Sequence, residues 1–99
     1  MNQAPVFRFA EEGDTPLILQ FIRELADYEG MLSEVVADEA TLKEWIFRKQ
    51  KAEVLFVLAD GREVGFALFF HNFSTFLGRA GLYLEDLYVK PEYRGRGYG

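Results

Sequence analysis

No cysteine occurs anywhere in the 99 residues, so disulfides, a thiolate nucleophile and cysteine-held metal are all excluded. A single histidine leaves too few of the usual ligands for a metal site, and no metal is expected. Basic residues are outnumbered, 11 Lys and Arg against 16 Asp and Glu for a formal net charge of -5, which argues against nucleic acid or an anionic membrane surface as partner. A small cationic molecule suits that charge, and so does the plain solubility of an acidic cytosolic protein. No stretch approaches the roughly 18 apolar residues of a membrane span, and residues 1–5 are not a basic segment leading into an apolar run. A cytoplasmic location without membrane contact is the expectation. The chain also lacks internal repeats, low-complexity tracts and linkers.

What is present is globular: 49% hydrophobic and 16% aromatic residues are too apolar for a disordered chain, and the length fits one domain or part of one. A domain of this size buries only about 60 to 65% of the surface its unfolded chain exposes, so every element needs a partner. Residues 6–10 alternate as a short strand would, and Gly13 supplies a turn. Thr15 followed by Pro16 reads as an N-cap with proline in the first helical position. Leu17, Ile18, Phe21, Ile22 and Leu25 then recur at helical spacing until Gly30, which is placed to end that helix.

Asp38 is positioned to cap a second helix with Leu42, Trp45 and Ile46 as its apolar stripe, Trp45 being expected in the core. Residues 54–59 form an apolar, β-rich run, and Asp60-Gly61 is a hairpin turn into a second run over 64–70. Residues 72–81 read as a loop, and 82–89 as a further strand ended by Pro91. The order is β, α, α, β, β, β, followed by a glycine-rich loop.

That loop, Tyr93-Arg94-Gly95-Arg96-Gly97-Tyr98-Gly99, carries the chemistry. Glycines let successive backbone amides converge without Cβ obstruction, which makes a concave seat for phosphate oxygens, and two arginines add charge. The run lacks the Gly-Lys-Ser/Thr ending of a P-loop and does not spell the dinucleotide fingerprint. Glu85 and Asp86 are candidate bases for a protonated amine, and on a regular strand they point to opposite faces. His71, among Phe69, Phe70 and Phe73, reads as scaffolding rather than a base. Tyr83, Tyr88 and the phenylalanines between 66 and 76 either line a pocket or fill the space between sheet and helices.

Arg94-x-x-Gly97-x-Gly99 matches the Arg/Gln-x-x-Gly-x-Gly/Ala pyrophosphate motif of the GNAT N-acetyltransferases and follows the fourth strand, as in that family. Tyr83-Leu84-Glu85-Asp86-Leu87-Tyr88-Val89, and the first-helix stretch Phe21-Ile22-Arg23-Glu24-Leu25-Ala26-Asp27-Tyr28-Glu29, resemble the diamine (spermidine/spermine) and thialysine acetyltransferases. The likeness covers the whole chain. It implies an α/β fold of the α+β type, a mixed, mostly antiparallel sheet flanked by helices. It further implies that residues 1–99 are part of such a domain, truncated after the fourth strand.

It also implies roles. Acetyl-CoA is the co-substrate: Leu87, Tyr88 and Val89 pair with its pantetheine arm, and Arg94, Gly95, Arg96, Gly97, Tyr98 and Gly99 hold its pyrophosphate. Glu85 and Asp86 are the catalytic candidates, and Glu29, Ser74, Phe76, Glu85 and Asp86 line the site of a small amine substrate. A homodimer is implied as well. Polyamine acetyltransferases carry Asp and Trp where this chain has Ser74 and Phe76, and the Ser74-Thr75 pair is closer to the thialysine type. The helix after the loop, a fifth strand and a tyrosine that protonates the departing thiolate would fall past Gly99. The 99 residues alone are therefore expected to be inactive, and a truncated acyl-CoA-binding or dimerising module stands as the alternative reading.

Overall fold

The computed structural model describes residues 6–94. Four strands, β1 (Val6–Phe9), β2 (Glu53–Ala59), β3 (Arg62–Ser74) and β4 (Arg79–Val89), form one sheet in sequence order, antiparallel throughout. Helix α1 (Thr15–Tyr28) and the short α2 (Glu39–Leu42) lie between β1 and β2 in the chain. The apolar stripe of α1 buries Ile18 and Phe21 against Val54, Phe56, Phe66 and Tyr88, with Ile46 closing the cluster. Phe21 sits at its centre, stacked on Phe66 at 5.7 Å and tilted toward Phe56 and Tyr88 at 6.0 and 6.1 Å. The other face of the sheet leaves Phe7, Phe9, Leu82, Leu84 and Leu87 exposed.

Helix α1 ends as its sequence requires. Gly30 has φ +72°, and the amides of Gly30 and Met31 return to the carbonyls of Asp27 and Ala26, a Schellman arrangement that a residue without Cβ accepts most readily. Its start differs from expectation. Thr15 is the first helical residue and fully buried, while Asp14 takes the N-cap position. The cause is a 3₁₀ turn, Glu12–Asp14, that feeds straight into the helix: the Thr15 hydroxyl donates to the Glu12 carbonyl at 2.6 Å, and the Asp14 carboxylate is taken by Arg8.

Asp38 does cap α2, accepting from the Thr41 amide at 2.7 Å, a bond that pulls its carboxyl below the usual range. The helix then widens into a π-helical turn, Lys43–Arg48, in which the Lys49 amide reaches back five residues to Glu44. The extra residue per turn rotates the stripe. Ile46 enters the core, but Trp45 is turned outward and half exposed, with the Lys49 ammonium 4.0 Å from its ring. The expectation of a buried Trp45 fails for that reason.

The β2–β3 turn has φ of 53° at Asp60 and 77° at Gly61, the paired left-handed conformation of a tight hairpin. The segment 72–81, expected as a loop, is instead mostly ladder: Asn72 pairs with Gly81, Phe73 with Ala80 and Ser74 with Arg79. Only residues 75–78 turn, closed by Gly78 at φ +68° and its amide on the Ser74 carbonyl. Of the six paired residues only Phe73 has strong strand propensity, so cross-strand pairing rather than local preference extends the ladder here.

Arg8 ties β1 to the start of α1 and to β3, donating to both Asp14 oxygens at 2.8 and 2.9 Å and to Glu63 at 2.8 Å. Those bonds hold both carboxyls below their ordinary values. A depressed carboxyl adds stability above its unfolded pKa, near 4, that is lost as pH falls through the depressed value. Arg8→Met should therefore cost on the order of 1 kcal/mol at neutral pH, a figure kept small because the groups are part exposed. It should also flatten the acid limb of a stability-against-pH curve measured by urea titration; an unchanged acid limb would show that these pairs contribute nothing.

Candidate functional site

The site is organised by an irregularity in β4. Leu68 pairs with Asp86 but Phe69 pairs with Leu84, so Glu85 is an extra residue, a β-bulge without a partner in β3. Strict alternation fails at that point. On the side toward the strand's end, Asp86 and Tyr88 sit opposite Leu68 and Phe66, on the face covered by α1, whereas Leu87 and Val89 lie opposite Ala67 and Gly65 on the other face.

Asp86 is partly buried, and its carboxyl is pushed up, first by burial, then by the negative charge of Glu85 and of Glu29. The structure thus brings these three carboxylates from two distant segments into one field. Glu29 is the C-cap of α1, whose last turn holds no basic residue. The negative end of the helix dipole therefore reinforces the acidic charge rather than opposing it. A region so arranged attracts a cation, and Asp86 is suited to take a proton from one.

A raised folded pKa means that the native state binds more protons than the unfolded one, so stability falls as pH climbs from the ordinary aspartate value through the raised one. Asp86→Asn removes that liability. The variant should melt above wild type at pH 7 to 8 and lose the slope on the alkaline side of pH 4, while any acetyl transfer by the protein declines. Equal melting temperatures across the range would contradict the burial of a charged Asp86.

Next to the carboxylates, between the last turns of α1 and the end of β4, lies a cleft of about 310 Å³ lined by Leu25, Tyr28, Leu87, Tyr88, Val89 and Arg94. Arg94 follows the 3₁₀ turn Pro91–Tyr93 and folds back across the cleft. Its Nε donates to the Val89 carbonyl at 2.7 Å, and its guanidinium lies 4.3 Å from the Tyr28 ring and 5.4 Å from that of Tyr88. The Tyr88 hydroxyl donates to Glu24 Oε1 at 3.1 Å; burial first, then that bond, pushes its pKa up to about 12. It is a neutral structural phenol at any physiological pH.

Four of the residues expected to meet a cofactor, Leu87, Tyr88, Val89 and Arg94, line this one cleft. The others, Gly95, Arg96, Gly97, Tyr98 and Gly99, lie outside the described residues. Ser74 and Phe76 are not brought to the carboxylates: Ser74 is six residues along β3 from the partner of Asp86, roughly 20 Å at strand rise, and Phe76 is fully exposed in the hairpin turn. Sequence reasoning missed Leu25, Tyr28 and Glu24, although Phe21, Leu25 and Tyr28 continue one face at spacings of four and three. A larger hollow of about 640 Å³, walled by Phe9, Phe47 and Phe70 and rimmed by Lys51, Glu53 and His71, lies at the other end of the sheet. None of the expected site residues reaches it. His71 there is exposed, 3.7 Å from Glu53.

Among the described residues no group of three or more potential ligands is arranged for a metal ion, and no helix is long and apolar enough to cross a membrane. Because β3 is the only partner of β4 among them, alternate backbone groups of β4 face outward. An edge with free amides beside an apolar cleft fits an extended amide-bearing arm such as that of coenzyme A.

Comparison with known proteins gives the class to which this bulged edge strand and the cleft at its end belong. The acetyltransferase (GNAT) family profile matches residues 19–99, and the chain belongs to that family. It is 41% identical over 103 aligned residues to the thialysine N-epsilon-acetyltransferase of Bos taurus, covering 95% of this chain and 60% of that protein. A 34% identity over 100 residues relates it to the human spermidine/spermine N(1)-acetyltransferase-like protein 1, with 93% of this chain and 14% of that one covered. Among solved structures, an aminoglycoside acetyltransferase from an uncultured soil metagenomic sample superposes with a TM-score of 0.78 at 20% identity, over 96% of this chain and 62% of that one. That likeness establishes the fold. The chain spans about 60% of the length of the bovine relative.

Proposed function

We propose that the protein transfers acetyl from acetyl-CoA to a primary amine of a small cationic acceptor, by direct attack and without a covalent intermediate on the protein. The observation that carries this is the cleft that Leu87, Tyr88, Val89 and Arg94 line at the edge of β4, directly after Glu85 and Asp86 in the chain, with Asp86 part buried in the negative field of Glu85 and Glu29. The carboxylates draw in the protonated amine, and Asp86 or Glu85 accepts its proton, directly or through water, so that nitrogen can attack the thioester carbonyl. A backbone amide within residues 87–89 donates to the carbonyl oxygen as negative charge develops there. Residues 94–99 hold the pyrophosphate, and residues 1–99 are the N-terminal part of the catalytic domain in a cytoplasmic protein.

The similarity to thialysine acetyltransferases, together with Ser74 and Phe76, supports thialysine, lysine-like compounds or short diamines over spermine. A homodimer accommodates the position of Ser74 and Phe76, since a hairpin tip some 20 Å from its own carboxylates can line the acceptor site of a second copy.

Calorimetry with acetyl-CoA tests the donor assignment: Gly97→Asp, which adds bulk and negative charge where phosphate must sit, should abolish binding by the full-length protein. Equal binding by both proteins would refute it. For the acceptor, CoA release with a panel of amines at one pH should favour thialysine and short diamines. A preference for spermine, a peptide N-terminus or an aminoglycoside would overturn that assignment, and binding without release would leave an acyl-CoA-binding module.

A further inference from the structure

The geometry points to Glu24 as a positioning residue that fixes the 88–90 backbone from the opposite side of the core. This rests on the acetyl-transfer reading, because that reading puts the amide that faces the thioester within residues 87–89, two of which belong to this segment. Glu24 lies in the middle of α1, 64 residues from Tyr88 in sequence, yet one carboxylate oxygen accepts the Tyr88 hydroxyl at 3.1 Å. The other stands 3.7 Å from the Lys90 ammonium and accepts from the Gln20 amide at 2.9 Å. Tyr88 and Lys90 are two apart on β4 and its extension and therefore share a face. One carboxylate thus grips both neighbours of Val89.

On that side Phe21 packs against the segment, its ring 6.1 Å from that of Tyr88 and 5.7 Å from the Lys90 ammonium, and Glu24 adds the directional polar contacts that fix its orientation. β4 is the edge of the described sheet, so the only strand that 88–90 pairs with there is β3, through pairs such as Phe66 with Tyr88 and the Lys90 amide on the Val64 carbonyl. On the cleft side the Val89 carbonyl accepts from Arg94, a bond from a side chain that the cleft's occupant must pass. Glu24 contacts the segment from behind and does not line the cleft. It is set to orient an amide without touching substrate. An amide that stabilises charge appearing only in the transition state contributes to turnover rather than to ground-state binding. Glu24 should accordingly act on kcat and leave the KM for acetyl-CoA nearly alone.

The test is steady-state kinetics of CoA release by the full-length protein with E24A, E24Q, Y88F and the E24A/Y88F double variant, alongside melting temperatures. E24A is expected to lower kcat on the order of tenfold or more with KM for acetyl-CoA changed by less than about twofold. E24Q, which can still accept from the Tyr88 hydroxyl, should recover most of that loss. Y88F keeps the buried ring, so it folds even if E24A does not, and it should reproduce the kcat loss with no further drop in the double variant. A melting temperature lowered in E24A with kcat unchanged, or additive losses in the double variant, would overturn the inference and leave Glu24 a helix-docking residue. A wild-type protein that neither binds nor turns over acetyl-CoA would instead overturn the reading beneath it.

Discussion

Gly65→Ala should push β4 away from β3 at the site and cost both stability and acetyl-CoA affinity. A Cβ at that position would sit 2.5 Å from the Tyr88 carbonyl oxygen and 3.1 Å from the Val89 Cα. These are backbone atoms with no rotamer to change, so the strands themselves must part. Forcing an extra carbon into such a space costs about 1 to 3 kcal/mol, a sizeable share of the roughly 5 to 15 kcal/mol of a whole domain. The displaced atoms belong to Tyr88 and Val89, which line the cleft and which the proposed function sets against acetyl-CoA, so its dissociation constant should rise with the loss of stability. Urea unfolding and calorimetry on one preparation measure both. A variant with wild-type values in both would show that the two backbones are not in the contact described.

Phe21→Ala should be the most damaging single core substitution. Phe21 is fully buried, and its ring meets Phe56, Phe66 and Tyr88, which come from three strands. Deleting a buried phenylalanine down to alanine costs about 3 to 5 kcal/mol, because the lost transfer energy is joined by that of the cavity left behind. Here the cavity opens under α1, the element that carries Glu24, Tyr28 and Glu29. Phe21→Leu, which keeps most of the volume, should cost less than about 1.5 kcal/mol. Denaturant midpoints separate the two. Loss of near-ultraviolet circular dichroism in the alanine variant alone would place the damage at the aromatic cluster, and equal midpoints for both would refute the central role of this ring.

The chain's punctuation made most of the fold legible. Gly30, Asp38 and Asp60-Gly61 each end or begin an element where the backbone demands it, because their conformations are decided by the residue itself. The errors fell where a neighbour decides. Thr15 loses the cap because the 3₁₀ turn before it runs into the helix and turns its hydroxyl back to Glu12, and Trp45 leaves the core because the helix widens to a π-turn; neither the turn nor the widening has a local signature. Residues 72–81 looked like a loop because Ser, Asn and Gly there outweighed Phe, and only the partner strand makes them a ladder. The candidate site divides similarly. Leu87, Tyr88, Val89 and Arg94 were legible by resemblance. The bulge at Glu85, the field of Glu29 on Asp86 and the tie from Glu24 arise between segments far apart in sequence.

The bulge also bears on how such a protein can diverge. Glu85 has no opposite number in β3, so the ladder would close without it, and Leu84 and Asp86 already lie on the opposite faces that adjacent residues occupy. Insertions or deletions elsewhere along β4 would turn neighbouring side chains inside out. At this one point the chain can lose a residue and leave every other pair facing as it does. The strand before the bulge, residues 79–84, can therefore be recut between lineages while Asp86 to Val89 keeps its register.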